Sequence, residues 1–158
     1  MIQVRPATPA DVSVILRFVR ELAAFEREPD AVTATEPMLA AALFGESPAA
    51  EAVLAEREGE PVGFALFFHN FSTWEGRRGL YLEDLYVTPA ARGQGAGAAL
   101  LRHLAALAVA RGCARFEWSV LDWNEDAIAF YRAMGAVGQE EWTVQRVSGA
   151  ALARLAAS

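Results

Sequence analysis

The chain has 158 residues, 54% of them apolar, with a mean hydropathy of +0.18. This length and composition predict one domain with a single packed core, spanning residues 1–158. The net charge of −6 argues against a nucleic-acid partner and permits a cationic ligand. No stretch approaches the roughly 20 apolar residues of a membrane span, and the single cysteine excludes an internal disulfide. We therefore expect a cytoplasmic protein with neither nucleic acid nor membrane as a partner.

The first half of the chain contains clear hydrophobic periodicities. They predict a strand at 2–5, a helix at 10–25, a short helix capped at 35–37 and ending at 44, strands at 51–57 and 62–69, and a polar-aromatic loop at 70–79. The first helix closes with Phe25 and Glu26, which the residues alone describe as a core aromatic beside a solvated acid.

The strand predicted at 80–87 is the most informative one. Regular alternation divides its side chains between two faces, one with Tyr81, Glu83, Leu85 and Val87 and the other with Leu80, Leu82, Asp84 and Tyr86. Because both faces are apolar, at least one of the two carboxylates is expected to face protein, where an unpaired charge is costly. The residues alone leave open an ion pair with an arginine or a role in binding a ligand.

Six residues, Arg92-Gly93-Gln94-Gly95-Ala96-Gly97, follow this strand and precede a helix predicted at 98–111. A strand, a glycine turn and a helix together predict an anion site, because glycines let the backbone approach a ligand and the first helical N–H groups point outward. A Walker A loop is excluded because it needs a lysine, and all 14 basic residues are arginine. The dinucleotide fingerprint stays a rival, although residues 88–92 separate the motif from the strand.

The remaining sequence predicts a strand at 114–121, a helix that starts at Asn124 and stops at Gly135, short strands at 136–137 and 142–147, and a final helix from Ser148. Asn124 and Tyr131 are two helical turns apart and share a face. Core packing and a functional role are equally compatible with Tyr131 on the residues alone. His69 and His103 lack a third partner, so no metal site is predicted.

The arginine and glycine pattern after a strand with an acidic pair resembles the acetyl-CoA loop of the GNAT acetyltransferase superfamily. Further segments resemble its diamine (spermidine/spermine) branch: residues 2–6 with 10–11, residues 80–84, Trp123-Asn124, Phe130-Tyr131 and Gly135-Ala136. The resemblance implies an α/β (α+β) GNAT fold. In that fold a mixed, mostly antiparallel sheet splays at the cofactor site and is flanked by helices.

The resemblance also implies a function and a set of site residues. The enzyme would move an acetyl group from acetyl-CoA directly to a primary amine of a polyamine or a thialysine-like substrate, without a metal, as a homodimer. Tyr131 would serve the departing thiolate, and Glu83 would accept the proton of the amine. Phe25, Glu26 and Asp84 would join Glu83 in binding the substrate. The implied cofactor-binding residues are Leu85, Tyr86, Val87, Arg92, Gly93, Gln94, Gly95, Ala96, Gly97, Ala98, Asn124 and Ala127.

Several alternatives remain open on the sequence. The acceptor could be an amino acid, an antibiotic amine or a protein N-terminus, and the chain could be a non-catalytic acyl-CoA-binding regulator. A dinucleotide oxidoreductase is the further rival. One departure from the branch concerns Phe25, which stands where the branch has a tyrosine and therefore lacks a hydroxyl.

Overall fold

The computed structural model describes residues 1–158 and divides them into two compact units, Met1–Ser119 and Val120–Ser158. The first unit contains β1 (Ile2–Pro6), α1 (Val12–Phe25), α2 (Glu36–Phe44), β2 (Glu51–Arg57), β3 (Glu60–Ser72), β4 (Arg77–Val87), α3 (Ala96–Ala110) and β5 (Phe116–Trp118). The second contains α4 (Glu125–Ala133) and α5 (Gly149–Ala157). None of these helices combines the length and apolar character needed to cross a membrane.

The five strands form one sheet in the order β1-β2-β3-β4-β5. Neighbours are antiparallel from β1 to β4, whereas β5 is parallel to β4. The parallel pair is joined by α3, as a parallel connection requires a crossover. The predicted α/β fold with a mixed, mostly antiparallel sheet is therefore confirmed.

One face of the sheet packs against α1 and α2. The buried cluster on this face consists of Ile15, Phe18, Leu22, Leu43, Ala52, Leu54, Phe64 and Tyr86. Its α1 members recur at helical spacing and its β2 members alternate, so the sequence period of each element matches the face that it buries. Each large apolar side chain buried here contributes about 1.5–3 kcal/mol.

The opposite face of the sheet packs against α3. The guanidinium of Arg111, directly after this helix, lies 5.9 Å from the ring centroid of Phe67. Phe67 alternates along β3 with Leu66, which packs against the α1 cluster. The buried residues of α3 are Ala96, Leu100, Leu101, Leu104 and Ala108.

The prediction of a loop at residues 70–79 is wrong. β3 and β4 continue as a long hairpin in which Asn70 pairs with Gly79 and Ser72 pairs with Arg77. A Cβ at position 79 would lie 2.4 Å from Oδ1 of Asn70, so glycine permits this close pairing. The end of the hairpin is mostly exposed, and its polar side chains conceal the strands from a hydrophobicity pattern.

The regular alternation predicted for β4 is also wrong. Leu82 pairs with Phe67 and Asp84 pairs with Leu66, so Glu83 is an extra residue opposite a single step of β3. Such a β-bulge reverses the alternation. Tyr81, Asp84 and Tyr86 therefore share the α1 face, while Leu80, Leu82, Leu85 and Val87 share the α3 face.

Smaller differences concern the ends of elements and the C-terminal segments. The strand predicted at 114–121 spans only Phe116–Trp118, and α3 starts at Ala96, two residues earlier than predicted. The strands predicted at 136–137 and 142–147 do not form. Val144 and Val147 in the second of these segments are exposed, so the segment has the composition of a strand without a neighbour to pair with.

A polar network fixes the corner between β1 and α1. Arg5 donates two hydrogen bonds to the carboxylate of Asp11, at 2.8 and 3.0 Å, and also pairs with Glu56 on β2. The backbone N–H and the hydroxyl of Thr8 donate to the same carboxylate. The bonds from Arg5 are the main reason that the pKa of Asp11 falls to about 2.

Candidate active site

The glycine segment lies between a 3₁₀ turn, Pro89–Ala91, and the first turn of α3. Gly93 and Gly95 have φ angles of 79° and 88°, a region that residues with a Cβ rarely adopt. The first hydrogen bond of α3 runs from the N–H of Ala99 to the carbonyl of Gly95. The N–H groups of residues 96–98 thus have no acceptor within the helix and can bind an anion.

Neighbouring elements hold two side chains of this segment. The Nε–H of Arg92 donates to the carbonyl of Val87 at 3.1 Å, and its guanidinium carbon lies 5.1 Å from the ring centroid of Phe25. The amide oxygen of Gln94 accepts a hydrogen bond from Arg57, the last residue of β2. No sequence signal marks Arg57, because it lies 37 residues before its partner in an ordinary strand.

The edge of β4 beyond the bulge is open on the side of β5. β4 pairs with β5 only at Leu80–Leu82, and residues 83–87 are outside this ladder. Leu85, Tyr86 and Val87 pair with β3 alone, opposite Ala65, Phe64 and Gly63. The backbone groups of residues 85–87 that point away from β3 are consequently not used by β5. The splay predicted after this strand thus begins at the bulge.

Two adjacent carboxylates occupy the start of this open stretch. Glu83, the bulged residue, is exposed, whereas Asp84 is half-buried on the α1 face. Burial, and then the negative charges of Glu83 and Glu26, raise the pKa of Asp84 to about 6. Burial and repulsion destabilise the ionised form of this carboxyl group, so a cation that binds beside it stabilises that form.

The end of α1 contributes the other predicted substrate residues. Phe25 is the last residue of the helix and Glu26 is its C-cap, and burial raises the pKa of the Glu26 carboxyl. α1 packs against β4, and the charge of Glu26 at the end of α1 contributes to the raised pKa of Asp84. Phe25 is 43% exposed and contacts Arg92, so it lies nearer to the glycine segment than the sequence suggests.

Tyr86 links β4 to α1. Its hydroxyl donates to the carboxylate of Glu21 at 2.8 Å, and its ring centroid lies 5.7 Å from that of Phe18. Burial, and then the bond to Glu21, raise the pKa of Tyr86 to about 12, so the hydroxyl remains protonated. No sequence pattern predicts this link, because residues 21 and 86 are far apart in the chain.

The other predicted site residues lie on α4, in the second unit. The side-chain oxygen of Asn124 accepts a hydrogen bond from the N–H of Ala127 at 3.3 Å and caps the helix. Tyr131 is half-buried, with its ring centroid 5.6 Å from that of Phe130. The predicted helix that starts at Asn124 is confirmed. Capping this helix is a structural role for Asn124, in addition to the cofactor contact that the family resemblance implies.

Three features of the first unit are suited to binding ligands. An anion cradle, a strand edge with unused backbone groups and a group of three carboxylates lie along the last residues of β4 and the end of α1. These features suit a ligand with phosphates and an acyl chain, together with a second ligand that carries positive charge.

Comparisons with known proteins agree with this arrangement. The profile of the "Acetyltransferase (GNAT) family" matches residues 16–136. The chain is 40% identical to thialysine N-epsilon-acetyltransferase of Bos taurus, over 98% of this chain and 97% of that protein. It is 35% identical to spermidine/spermine N(1)-acetyltransferase-like protein 1 of Homo sapiens, over 91% of this chain and 22% of that protein.

A solved structure from an integron cassette of V. cholerae superimposes with a TM-score of 0.82 and 28% identity, over 99% of this chain and 98% of that one. The acetyltransferase relatives argue against the dinucleotide oxidoreductase and the non-catalytic regulator, and they agree with the diamine branch. The match over most of the chain, together with the glycine segment and the open edge of β4, shows that this chain is an acetyltransferase of the GNAT family.

Proposed function

We propose that this chain transfers the acetyl group of acetyl-CoA to a primary amine of a small cationic acceptor. The acceptor is a thialysine-like side-chain amine or a polyamine. The observation that carries the proposal is the carboxylate of Asp84, half-buried beside Glu83 and Glu26, with its pKa raised to about 6. An ammonium group bound there would relieve the repulsion among the three carboxylates.

Acetyl-CoA fits the residues at the other end of β4. The N–H groups of Gly93–Ala98 would hold the pyrophosphate, with Arg92 as a counter-charge. Backbone N–H groups of Leu85–Val87 would orient the acetyl carbonyl and the pantetheine chain. The family resemblance adds Asn124 and Ala127 to the cofactor contacts.

The reaction needs a neutral nitrogen. An alkyl amine with a pKa of about 10.4 is mostly protonated at pH 7, and the shortfall of about 3.4 units corresponds to about 4.6 kcal/mol. Glu83 is exposed and can take this proton through water and return it to the solvent. The nitrogen then forms a bond to the acetyl carbon while the carbon–sulfur bond breaks. The nitrogen loses its second proton to water as the amide forms. Tyr131 is the proposed proton donor to the thiolate, so that CoA leaves as a free thiol, and the tyrosine regains its proton from the solvent. The transfer is direct, so no acyl-enzyme forms.

We also propose that the protein is a homodimer. The support is the family resemblance and the exposed apolar surface of the second unit, which includes Val137, Trp142, Val144, Leu152 and Leu155. Exposed apolar patches of this kind mark protein interfaces. The partner would be a second copy of this chain.

The first experiment is an assay of free thiol released from acetyl-CoA in the presence of single acceptors. The panel contains thialysine, lysine, ornithine, spermidine, spermine, putrescine and N-terminal peptides. We expect turnover with thialysine or a polyamine at low KM, and little with the peptides. Mass spectrometry of the acetylated product identifies the nitrogen that reacts.

Two results would contradict the proposal. Selective turnover of N-terminal peptides would assign the chain to another acceptor class. Failure with every amine, while acetyl-CoA binding is measurable by calorimetry, would retain the cosubstrate and reject the small cationic acceptors.

A further inference from the structure

The side chain of Arg92 is folded back against two aromatic rings. Its guanidinium carbon lies 5.1 Å from the ring centroid of Phe25 and 5.9 Å from that of Tyr86. Its Nε–H donates to the carbonyl of Val87 at 3.1 Å. This hydrogen bond uses Nε alone, so the two terminal nitrogens remain for a phosphate.

The two rings differ in how firmly they are held. Tyr86 is buried to 5% exposure, bonded to Glu21 and packed on Phe18. Phe25, the last residue of α1, is 43% exposed. Packing in the core therefore does not account for an aromatic side chain at this position. A cation over an exposed ring face is a favourable arrangement, because the ring quadrupole attracts the guanidinium.

We propose that Phe25 is a positioning residue for Arg92, and through it for the pyrophosphate of acetyl-CoA. This inference rests on the proposed function of the glycine segment. Arg92 directly precedes Gly93, so a fixed Arg92 side chain limits the motion of the loop that binds the phosphates. The ring face makes the contact, so the proposed role requires no hydroxyl at position 25.

The proposal gives Phe25 a role that differs from a contact with the amine. An amine contact predicts that loss of the ring raises the KM for the acceptor. A contact through Arg92 predicts weaker binding of CoA and an unchanged response to thioesters that lack the pyrophosphate. The two roles are therefore separated by the choice of thioester.

The test compares Phe25→Leu, which removes the ring, with Phe25→Tyr, which keeps it. Val109→Ala is the control, because Val109 is an exposed apolar residue near the other end of α3. We expect Phe25→Leu to raise the Kd for CoA, measured by calorimetry, about threefold to tenfold, the size of a partly exposed cation–π contact. Phe25→Tyr and Val109→Ala should remain within about twofold of wild type.

Two further measurements distinguish the proposed role of Phe25 from an indirect effect on folding. S-acetyl-pantetheine lacks the pyrophosphate, so the KM for this thioester should be the same in Phe25→Leu and wild type. In an Arg92→Ala background, Phe25→Leu should add no further loss of CoA affinity, because the partner is absent. Unchanged CoA affinity in Phe25→Leu, equal losses with both thioesters, or additive losses with Arg92→Ala would each overturn the proposal.

The CoA titrations do not depend on an acceptor. If wild type acetylates no amine, the proposed acceptor class fails, yet the CoA affinities of the variants still decide the role of Phe25.

Discussion

The ionised carboxyl group of Asp84 lowers the free energy of unfolding of the protein. Its pKa is about 6 in the fold, against an ordinary value of 3.8, so the folded state binds more protons between about pH 4 and pH 6. Stability therefore falls as the pH rises through this window, and the cost is fully present above it. Substrate binding would recover part of this cost, since an ammonium group favours the ionised form.

We predict that Asp84→Asn makes the protein more stable at pH 7, by about 1–2 kcal/mol, because the amide carries no charge. Urea unfolding at several pH values checks this. The difference from wild type should shrink below about pH 4, where Asp84 is protonated in both states. The same variant should lose most amine turnover, and a variant less stable than wild type at pH 7 would contradict the electrostatic account.

Substitutions at Glu83 and at Asp84 should have different effects on the enzyme. Glu83→Gln should change the rise of kcat/KM with pH or sharply raise the amine KM, because the proton acceptor or charge partner is lost. Pre-steady-state and steady-state rates from about pH 6 to pH 10 provide the measurement. A pH profile that matches wild type in shape and height would remove Glu83 from the mechanism.

Tyr131→Phe should lower kcat far more than it lowers acetyl-CoA affinity. The substitution removes only the hydroxyl that would protonate the thiolate, and the loss should be about 10²-fold or more for a proton donor. Phe130→Leu on the same helix is a control for packing. An unchanged kcat in Tyr131→Phe with a good acceptor would exclude the acid role.

At the scale of single elements, the sequence predicts most helices and strands and fails where tertiary context decides. The α1 helix, the β2 strand and the glycine turn with its helix are predictable because their period and their turn residues agree. The bulge at Glu83 is not, because nothing in Leu82-Glu83-Asp84 marks an extra residue and only pairing with β3 reveals it. The proximity of Glu26 to this bulge likewise depends on the packing of α1.

The corner between β1 and α1 allows a stability prediction. The pKa of Asp11 falls to about 2, below its unfolded value, so its stabilising effect is present at neutral pH and is lost between about pH 4 and pH 2. Asp11→Asn should cost about 1–2 kcal/mol at pH 7, after allowing for solvent screening. Asp122→Asn, an exposed acid in the second unit, is the matched control.

Denaturant unfolding at pH 7 and at about pH 2.5 would measure this effect. The gap between Asp11→Asn and wild type should narrow at the lower pH. A gap that stays constant would mean that ionisation of the Asp11 carboxyl group does not account for the loss.

At the scale of the whole molecule, the second unit is the part that the sequence describes least well. Its two predicted strands are not formed, although Trp142–Val147 has a strand-like composition. The α4 helix is predictable because its cap and its stop signal are local. A segment forms a strand only where a neighbour pairs with it, and one sequence does not identify such a neighbour.

The proposed homodimer leads to a direct measurement. Light scattering should give particles of about 34 kDa, twice the chain mass of 17.1 kDa. Val144→Asp places a charge in the exposed apolar segment and should shift the distribution toward the monomer. Ala106→Asp, at an exposed position of α3 in the first unit, tests whether any added charge has this effect, and wild-type particles of only 17.1 kDa would refute the dimer.

The bulge in β4 has a consequence for insertions and deletions. Removing Glu83 would make Leu82 and Asp84 adjacent, opposite the adjacent Leu66 and Phe67, so that every remaining side chain of β4 would keep its sheet face. Removing Leu85, which is regularly paired, would instead bring either the buried Tyr86 or the buried Leu80 and Leu82 to the wrong helix. Changes of length in the exposed turn at 73–76 leave both faces in register. Under a selection for folded protein alone, a library of single-residue deletions should therefore tolerate loss of Glu75 or Glu83 and eliminate loss of Leu85.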